Sequence, residues 1–428
     1  MGKAIGLDFG TTNSALAIAK PDGTVQLAQF NVDATFRSVL YFDESDNART
    51  GKLRVVAGPD AIQSYLNAKT TGRLIQSMKS YLASRLFNQT QIFGETYSLE
   101  ELIGILLRYL RQSAESEFGD LGSTLVVGRP VHFSGTRDIA DDEFAINRLR
   151  AAFRNANFEH VHFLPEPVAA AYKYQRQLDR EELVLIADFG GGTSDFSLVQ
   201  LQARSNTQGK AQSSVIGTDG VGIAGDTFDS KLVRNLVAPM LGLGSQYRSQ
   251  FGKILPVPNW LYEHLEHWHY LSFLKTKKNM ELLRQVRFRA LDPQKIDALI
   301  GLVDHDLGYR LYQSIEETKF ALSNDDQTLL RFHEAAVAID KAVSRSAFEN
   351  WIEPEVSQIS RCVNRLLAQC GVAPRDVDAI FMTGGSSFVP AIRKLFEQKF
   401  AATTPIRAGQ EFTSVAQGLA VHALELLD

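Results

Sequence analysis

Ile5-Gly6-Leu7-Asp8-Phe9-Gly10-Thr11-Thr12-Asn13-Ser14 and Leu185-Ile186-Ala187-Asp188-Phe189-Gly190-Gly191-Gly192-Thr193-Ser194-Asp195 follow one plan. In each, an apolar run ends in Asp-Phe-Gly, passes small hydroxyl or glycine residues, and re-enters an apolar run, Ala15–Ala19 or Phe196–Val199. The apolar runs predict buried strands, and the glycines a tight hairpin turn. Glycine has no Cβ and tolerates positive φ, so a row of backbone N–H groups can close around phosphate oxygens. The Asp at each strand end is then placed to hold hydrated Mg²⁺, a hard cation that prefers carboxylate and water oxygens. Two copies, half a chain apart, predict a duplicated domain gripping one polyphosphate between its halves.

With 428 residues the chain has material for two domains or lobes, each with its own core. It is 44% hydrophobic and 22% charged with a net charge of −4, which gives no electrostatic reason to expect nucleic acid or acidic lipid as a partner. The two cysteines, Cys362 and Cys370, would sit about 12 Å apart on one helix, too far to bridge. They read as free thiols of a reducing compartment. The first strand begins almost at once, leaving no room for a secretory signal, and no apolar run reaches membrane-spanning length. The expected location is cytoplasmic.

Along the chain, strands alternate with helices, which predicts an α/β protein. A second strand pair is expected at Gly23–Phe30 and Val39–Phe42, and mostly helix over Gly58–Leu86. Ser98–Phe118 has apolar residues at helical spacing, and Ser98 with Glu101 forms a capping box. A strand at Thr124–Gly128 and a helix over Phe144–Ala156 follow, then a strand at Val161–Leu164 and the helix Val168–Gln177. Leu183–Asp188 is a strand. Val215–Gly225 is glycine-rich and leads into a helix over Asp226–Leu236. Further helices are expected over Asp306–Leu322, Ser344–Gln369, Ala391–Phe400 and Ser414–Leu427, with a buried strand at Asp378–Met382. Residues 240–310 are rich in aromatic residues, His and Lys. His264 and His267 can share a helix face, but His269 is on another and no fourth ligand follows, so a packed amphipathic helix is expected there rather than zinc.

A third glycine element, Thr383-Gly384-Gly385-Ser386, joins the strand to the helix Ala391–Phe400, and its helix N-terminus favours anionic groups. The ordered series Asp8-Phe9-Gly10-Thr11-Thr12-Asn13, Leu164-Pro165-Glu166-Pro167-Val168-Ala169-Ala170-Ala171-Tyr172, Asp188-Phe189-Gly190-Gly191-Gly192-Thr193 and Gly384-Gly385-Ser386 resembles the actin-like ATPase superfamily. Within it, the chain resembles the nucleotide-binding domain of the seventy-kilodalton heat-shock chaperones of the DnaK type, over essentially its whole length. The stretch that resembles those chaperones stops before their β-rich substrate-binding domain and helical lid, so the expectation is a protein similar to the YegD-type truncated bacterial relatives. The resemblance implies a two-lobed actin-like (ribonuclease H-like) α/β fold with a nucleotide cleft between lobes. The first lobe would run over 1–182 with a smaller subdomain near 45–112, and the second over 183–412 with one near 230–343. Residues 413–428 would return as a helix to the first.

The resemblance also assigns roles. Asp8 and Asp188 would hold hydrated Mg²⁺. Gly10, Thr11, Thr12 and Asn13 would contact the phosphates of ATP or ADP from one side, and Gly190, Gly191, Gly192 and Thr193 from the other, Thr193 near the γ-phosphate. Lys79 would reach the γ-phosphate and the attacking water, which Glu166 would orient, with Asp195 beside it. Gly225 would approach the ribose and phosphates, Glu316, Lys319 and Ser323 the ribose and adenine, and Gly384, Gly385 and Ser386 would close over the adenosine. Independently of any family, two Asp for metal, one Lys for developing charge and one Glu for water are the minimal set for phosphoryl transfer.

The chain departs from the chaperones on the adenosine side. Phe320 and Phe388 stand where those proteins place two arginines around the adenine, Ala224 replaces a glycine, and Phe412 an aspartate. Two aromatic faces can stack on a base as two guanidinium planes do; otherwise one or both rings would turn into the core. The expectation is a slow, Mg-dependent ATPase acting as a chaperone-like switch toward a protein client or co-chaperone. A small-molecule kinase of the same superfamily and a non-hydrolysing nucleotide-gated scaffold are the alternatives. The Pro-Glu-Pro turn, suited to orienting water, separates this chain from the sugar kinases.

Overall fold

A computed structural model describes residues 3–31, 33–44, 53–68, 72–176, 178–203, 213–266, 271–335, 337–408 and 413–427. They fall into two compact units: Met1–Ala224 with Gln358–Ser387 and Lys394–Asp428, and Gly225–Ser357 with Phe388–Arg393.

The first unit holds both repeated hairpins. β1 (Ala4–Phe9) and β2 (Asn13–Ala19) pair antiparallel with Asp8 opposite Ala15. With β3 (Val25–Leu27), β10 (Thr124–Arg129) and β11 (His160–Pro165) they form a sheet of order β11-β10-β1-β2-β3, and the short β4 (Phe36–Arg37) also pairs β2. β12 (Glu182–Phe189) and β13 (Ser194–Leu201) repeat the hairpin, with Asp188 opposite Asp195, in a sheet of order β14-β13-β12-β19-β20. There β14 is Ser214–Val221, β19 Ala379–Thr383 and β20 Ile406–Ala408. Among the flanking elements, β1 runs parallel to β10 and β12 parallel to β19.

The faces of β1 and β2 differ in side-chain size, and that difference sets the layers. Ile5, Leu7, Phe9, Leu16 and Ile18 project into a core filled by the helix Leu99–Phe118 and by Leu149 and Phe153. Ala4, Ala15, Ala17 and Ala19 face the other way, toward Ala169, Ala170 and Ala171 of the helix Glu166–Gln175 and Ala416, Leu419 and Ala420 of the helix Ser414–Leu427. Small residues let backbones approach closely. A Cβ on Gly418 would stand 1.7 Å from the Ala169 carbonyl oxygen, and one on Gly6 would stand 2.2 Å from the Ala420 nitrogen. The C-terminal helix Ser414–Leu427 thereby packs closely on both the hairpin carrying Asp8 and the helix carrying Glu166.

The helix Leu99–Phe118 begins as its capping box predicts: Ser98 Oγ accepts from the Glu101 N–H, and Glu101 Oε2 accepts from the Ser98 N–H at 2.7 Å. Ser98→Ala removes the acceptor at an exposed cap, and a loss of about 1 kcal/mol in urea unfolding is expected.

Several sequence-based expectations need correction. β3 and β5 (Val39–Asp43) are both strands, but they lie in different sheets rather than as a pair. Among its described residues, the stretch expected to be mostly helical contains the α-helix Gly58–Asn67 and the short 3₁₀ turn Met78–Tyr81. Arg73–Gln76 belongs to β7 (Gly72–Gln76), which pairs with β5, as does β6 (Arg54–Ala57). Pairing with β5 outweighs a helix-like local pattern. The hairpin of β8 (Gln89–Ile92) and β9 (Glu95–Ser98) was not expected. The glycine-rich 215–225 region, for which no element was expected, is largely the strand β14.

The second unit is mainly helical. The helix expected from Asp226 begins at Gly225, runs to Leu232 and loosens into a π-turn over Val233–Val237. The helices Trp260–Glu266, Lys277–Arg289, Pro293–Asp304 and Gly308–Asn324 follow. Two hairpins not expected from sequence complete it: β15 (Gln246–Arg248) with β16 (Ile254–Pro256), and β17 (Gln327–Glu334) with β18 (Val337–Ser344).

Candidate functional site

Both hairpins turn over four residues closed by glycine. A Cβ on Gly10 would stand 2.1 Å from the Asn13 carbonyl oxygen, so that turn tolerates glycine alone. The matching Gly190 N–H donates to the Thr193 carbonyl at 2.9 Å. The turns face one another: a Cβ on Gly192 would lie 3.7 Å from Thr11 Oγ1 and 3.8 Å from Ser80 Oγ. The third glycine element joins them. Gly384 takes a φ of +84°, and its Cβ would fall 2.1 Å from the Phe189 carbonyl oxygen, so the turn after β19 lies against the end of β12 only as glycine. Ser387 donates from N and Oγ to the Gly384 carbonyl, and Ser386 is buried.

Between these turns stand the charges. Lys79 lies in a short 3₁₀ turn, Met78–Tyr81, entered through Ser77 in the left-handed region at φ 54°. Its Nζ donates to Glu166 Oε1 at 2.6 Å, and both side chains are only 9% exposed. Glu166 opens its helix after Pro165, and Gly128 leaves it room, since a Cβ there would stand 3.0 Å from Glu166 Cγ. Asp195 Oδ1 accepts from the Val131 N–H at 2.7 Å.

The buried carboxylates of Glu166, Asp188 and Asp195 and the partly buried Asp8 therefore all act on the Lys79 ammonium, and the acids respond. Burial, reinforced by Glu166, pushes Asp8 up to about 7 against the pull of Lys79. Asp195 rises to about 7 for the same two reasons, with hydrogen bonds from Thr193 and Val131 opposing. Asp188 is driven well above the carboxylate range by burial and then by Glu166, Asp8 and Asp195. Burial pulls Lys79 down, but Glu166, Asp8 and Asp195 outweigh it and hold its proton tightly. Such an excess of buried negative charge suits a cation. Among the described residues no three His, Cys, Asp or Glu side chains form a direct ligand set. The carboxylates of Asp8 and Asp188, at the ends of β1 and β12, are hard oxygen donors of the kind that suits a hydrated Mg²⁺.

Sequence reasoning missed the braces of the first turn. Ser38 Oγ donates to the Gly10 carbonyl at 2.8 Å, the Ser38 N–H donates to the Thr12 carbonyl, and Arg37 donates to Asn13 Oδ1 at 3.2 Å. Only the long-range pairing of β2 with β4 brings them there, and no local motif announces it.

The remaining candidates lie in the second unit. Gly225 opens its first helix. On the helix Gly308–Asn324, Lys319 Nζ makes a 2.7 Å ion pair with Asp229, and Glu316 acts on the same charges. Asp229 and Asp226 were not expected there; burial and then Asp229 raise Asp226 to about 7. Ser323 Oγ donates to its own helix at the Lys319 carbonyl. Phe320 and Phe388 are 68% and 54% exposed, so neither ring turns into the core. Ala224, in the first unit, is buried. His264 Nδ1 meets the Trp260 carbonyl oxygen at 2.9 Å, while His267, His269 and Phe412 lie outside the described residues. Cys362 and Cys370 are free.

The family model for Hsp70 protein matches residues 4–241 and 293–426. The chaperone protein DnaK of Thermosipho africanus (strain TCF52B) is 26% identical over 422 residues, covering 98% of this chain and 58% of the relative. That of Thermotoga petrophila is 25% identical over 423 residues, covering 98% and 59%. The chain thus spans less than two thirds of the length of these curated relatives. The repeated hairpins, the glycine turn after β19 and a match over most of the sequence agree: the chain belongs to the Hsp70 family and has its actin-like ATPase fold.

Proposed function

We propose that this chain binds ATP or ADP with Mg²⁺, hydrolyses ATP slowly, and passes the change of nucleotide state to a protein client or co-chaperone, as a chaperone-type switch in the cytoplasm. On this reading residues 1–182 and 183–412 act as the two lobes, and 413–428 ties back to the first. The single observation behind the proposal is the buried Lys79–Glu166 pair, set among Asp8, Asp188 and Asp195 beside two facing glycine turns.

Bound Mg²⁺ would supply charge neutralisation for the polyphosphate. The chain's own residues would do the rest. Backbone N–H groups of Gly10–Asn13 and Gly191–Thr193 would orient the phosphates, with the Gly190 N–H closing the second turn, and Lys79 would face the charge that develops on the transferred group. Glu166, fixed at the start of its helix, would orient the attacking water. No described helix is long and apolar enough to cross a membrane.

Single-turnover hydrolysis of Mg-ATP by the wild type and Asp188→Ala tests the proposal. Slow decay by the wild type and its loss in the variant are expected; equal rates, or no nucleotide binding at millimolar concentration, would overturn it. On the base, Phe320→Ala and Phe388→Ala should each weaken Mg-ADP binding about 2- to 10-fold by calorimetry, the scale of one aromatic stacking contact. Unchanged affinity in both would remove the stacking role.

A further inference from the structure

Residues 242–292 fall between the two stretches matched by the family model, and they build a basic, apolar face within the second unit. Over 246–255 and 275–291 the sequence has eight Lys or Arg and one acid, Glu281; Lys275, Arg284 and Arg287 pair with Asp306, Asp304 and Asp297, which leaves Arg248, Lys253, Lys277, Lys278 and Arg289 as the basic excess. β15 pairs with β16, and on its other edge Tyr247 bridges Ala290 while the Leu291 N–H donates to the Gln246 carbonyl at 2.8 Å.

The register places Arg248 opposite Ile254 in the hairpin, and Arg289 ends its helix one residue before the Ala290 that bridges Tyr247. Phe251 at the hairpin tip and Phe288 near the helix end are 84% and 83% exposed, and Ile254 and Leu291 are exposed with them. Met280, Leu283 and Val286 already fill the inward face of that helix, so the Phe288 ring is surplus to its packing. Scattered exposed apolar residues are ordinary, but here they gather at one hairpin–helix junction. Arg248, Lys253 and Arg289 make no ion pair among the described residues.

Aromatic residues and Arg are what interface centres enrich, and an unpaired positive rim rejects basic partners while steering acidic ones. We propose that this face docks an acidic protein segment, one whose Asp and Glu residues flank two or three Leu, Phe or Trp anchors. The aliphatic Ile254 and Leu291 beside the arginines favour a peptide over a nucleic acid, whose phosphates would find nothing in them.

The test uses the full chain without nucleotide, so it stands apart from the ATPase reading. A fluorescein-labelled 15-residue peptide with Glu and Asp flanking a Leu-Trp-Leu centre is titrated by fluorescence anisotropy. Saturable binding is expected that weakens with salt, with none for the same peptide carrying Lys at the acidic positions. Arg248→Glu/Arg289→Glu and, separately, Phe288→Ser should each weaken binding about tenfold or more, with far-UV circular dichroism unchanged. Equal binding of the acidic and Lys peptides, or unchanged binding by both variants, would overturn the proposal. So would tighter binding of single-stranded DNA or phosphatidylserine vesicles than of the peptide. A dimer in sedimentation velocity that Phe288→Ser dissolves would assign the face to a second copy instead.

Discussion

Lys79→Ala is expected to lower single-turnover Mg-ATP hydrolysis by about 10²–10³-fold, the scale on which removing one group aimed at developing charge acts. The same substitution should destabilise the unliganded protein by about 3–5 kcal/mol, because it removes a buried cation that faces a set of carboxylates. Lys79 opposes the upward shifts of Asp8, Asp188 and Asp195 and pairs with Glu166 at 2.6 Å. Glu166→Gln separates the two effects. It should cost hydrolysis on a similar scale, since a carboxamide orients water without accepting its proton. It should cost much less stability, because Glu166 repels all three aspartates and Lys79 keeps Asp8 and Asp195 as partners. Rapid-quench assays and urea unfolding read both quantities. A Lys79→Ala protein as stable and as active as wild type would mean that the ammonium is idle, as a solvated helix lysine would be.

How far this site could be read beforehand depended on distance along the chain. The hairpins carry their whole plan locally: Asp-Phe-Gly at the strand end, small residues in the turn, apolar runs on both sides. Glu166 was legible because prolines flank it. Lys79 was legible only through resemblance, and the strand pairing that positions it was not, since Arg73–Gln76 reads locally as helix and becomes β7 only against β5. The braces Arg37 and Ser38 and the partner Asp229 are invisible locally, because each is joined to its target by tertiary pairing. The hairpin of β17 and β18 was a different kind of miss. Leu330 and Phe332, Val337 and Ile339 alternate buried positions as a half-covered strand pair should, so its period of two stood in the sequence unread. The accumulation of negative charge, by contrast, follows from burial and could not be read from residue order.

That accumulation predicts an unliganded protein whose stability falls as pH rises. Asp8 and Asp195 titrate near 7 when folded, against about 3.8 when exposed. Between these values the folded chain holds protons that the unfolded chain has released. Stability therefore declines with pH across that window. The contribution is fully present below about pH 4 and is lost as pH passes 7. It amounts to about 4 kcal/mol for each group, since each tenfold gain in proton affinity on folding corresponds to about 1.4 kcal/mol. Surface carboxylates held low by hydrogen bonds, such as Asp22, act in the opposite direction but are already ionised by about pH 5. Urea midpoints at pH 5.0 and 7.5 should therefore show the wild type weaker at 7.5. Asp195→Asn should remove part of the difference, because the carboxamide keeps the acceptor for the Val131 N–H and never ionises. Saturating Mg-ADP should remove a further part, because charge on Asp8 and Asp188 is then an advantage, while the share of Asp226, also raised to about 7, stays. A wild type equally stable at both pH values, with no response to Asp195→Asn or Mg-ADP, would mean that the cluster carries no uncompensated charge, and the reason for assigning a cation to it would be gone.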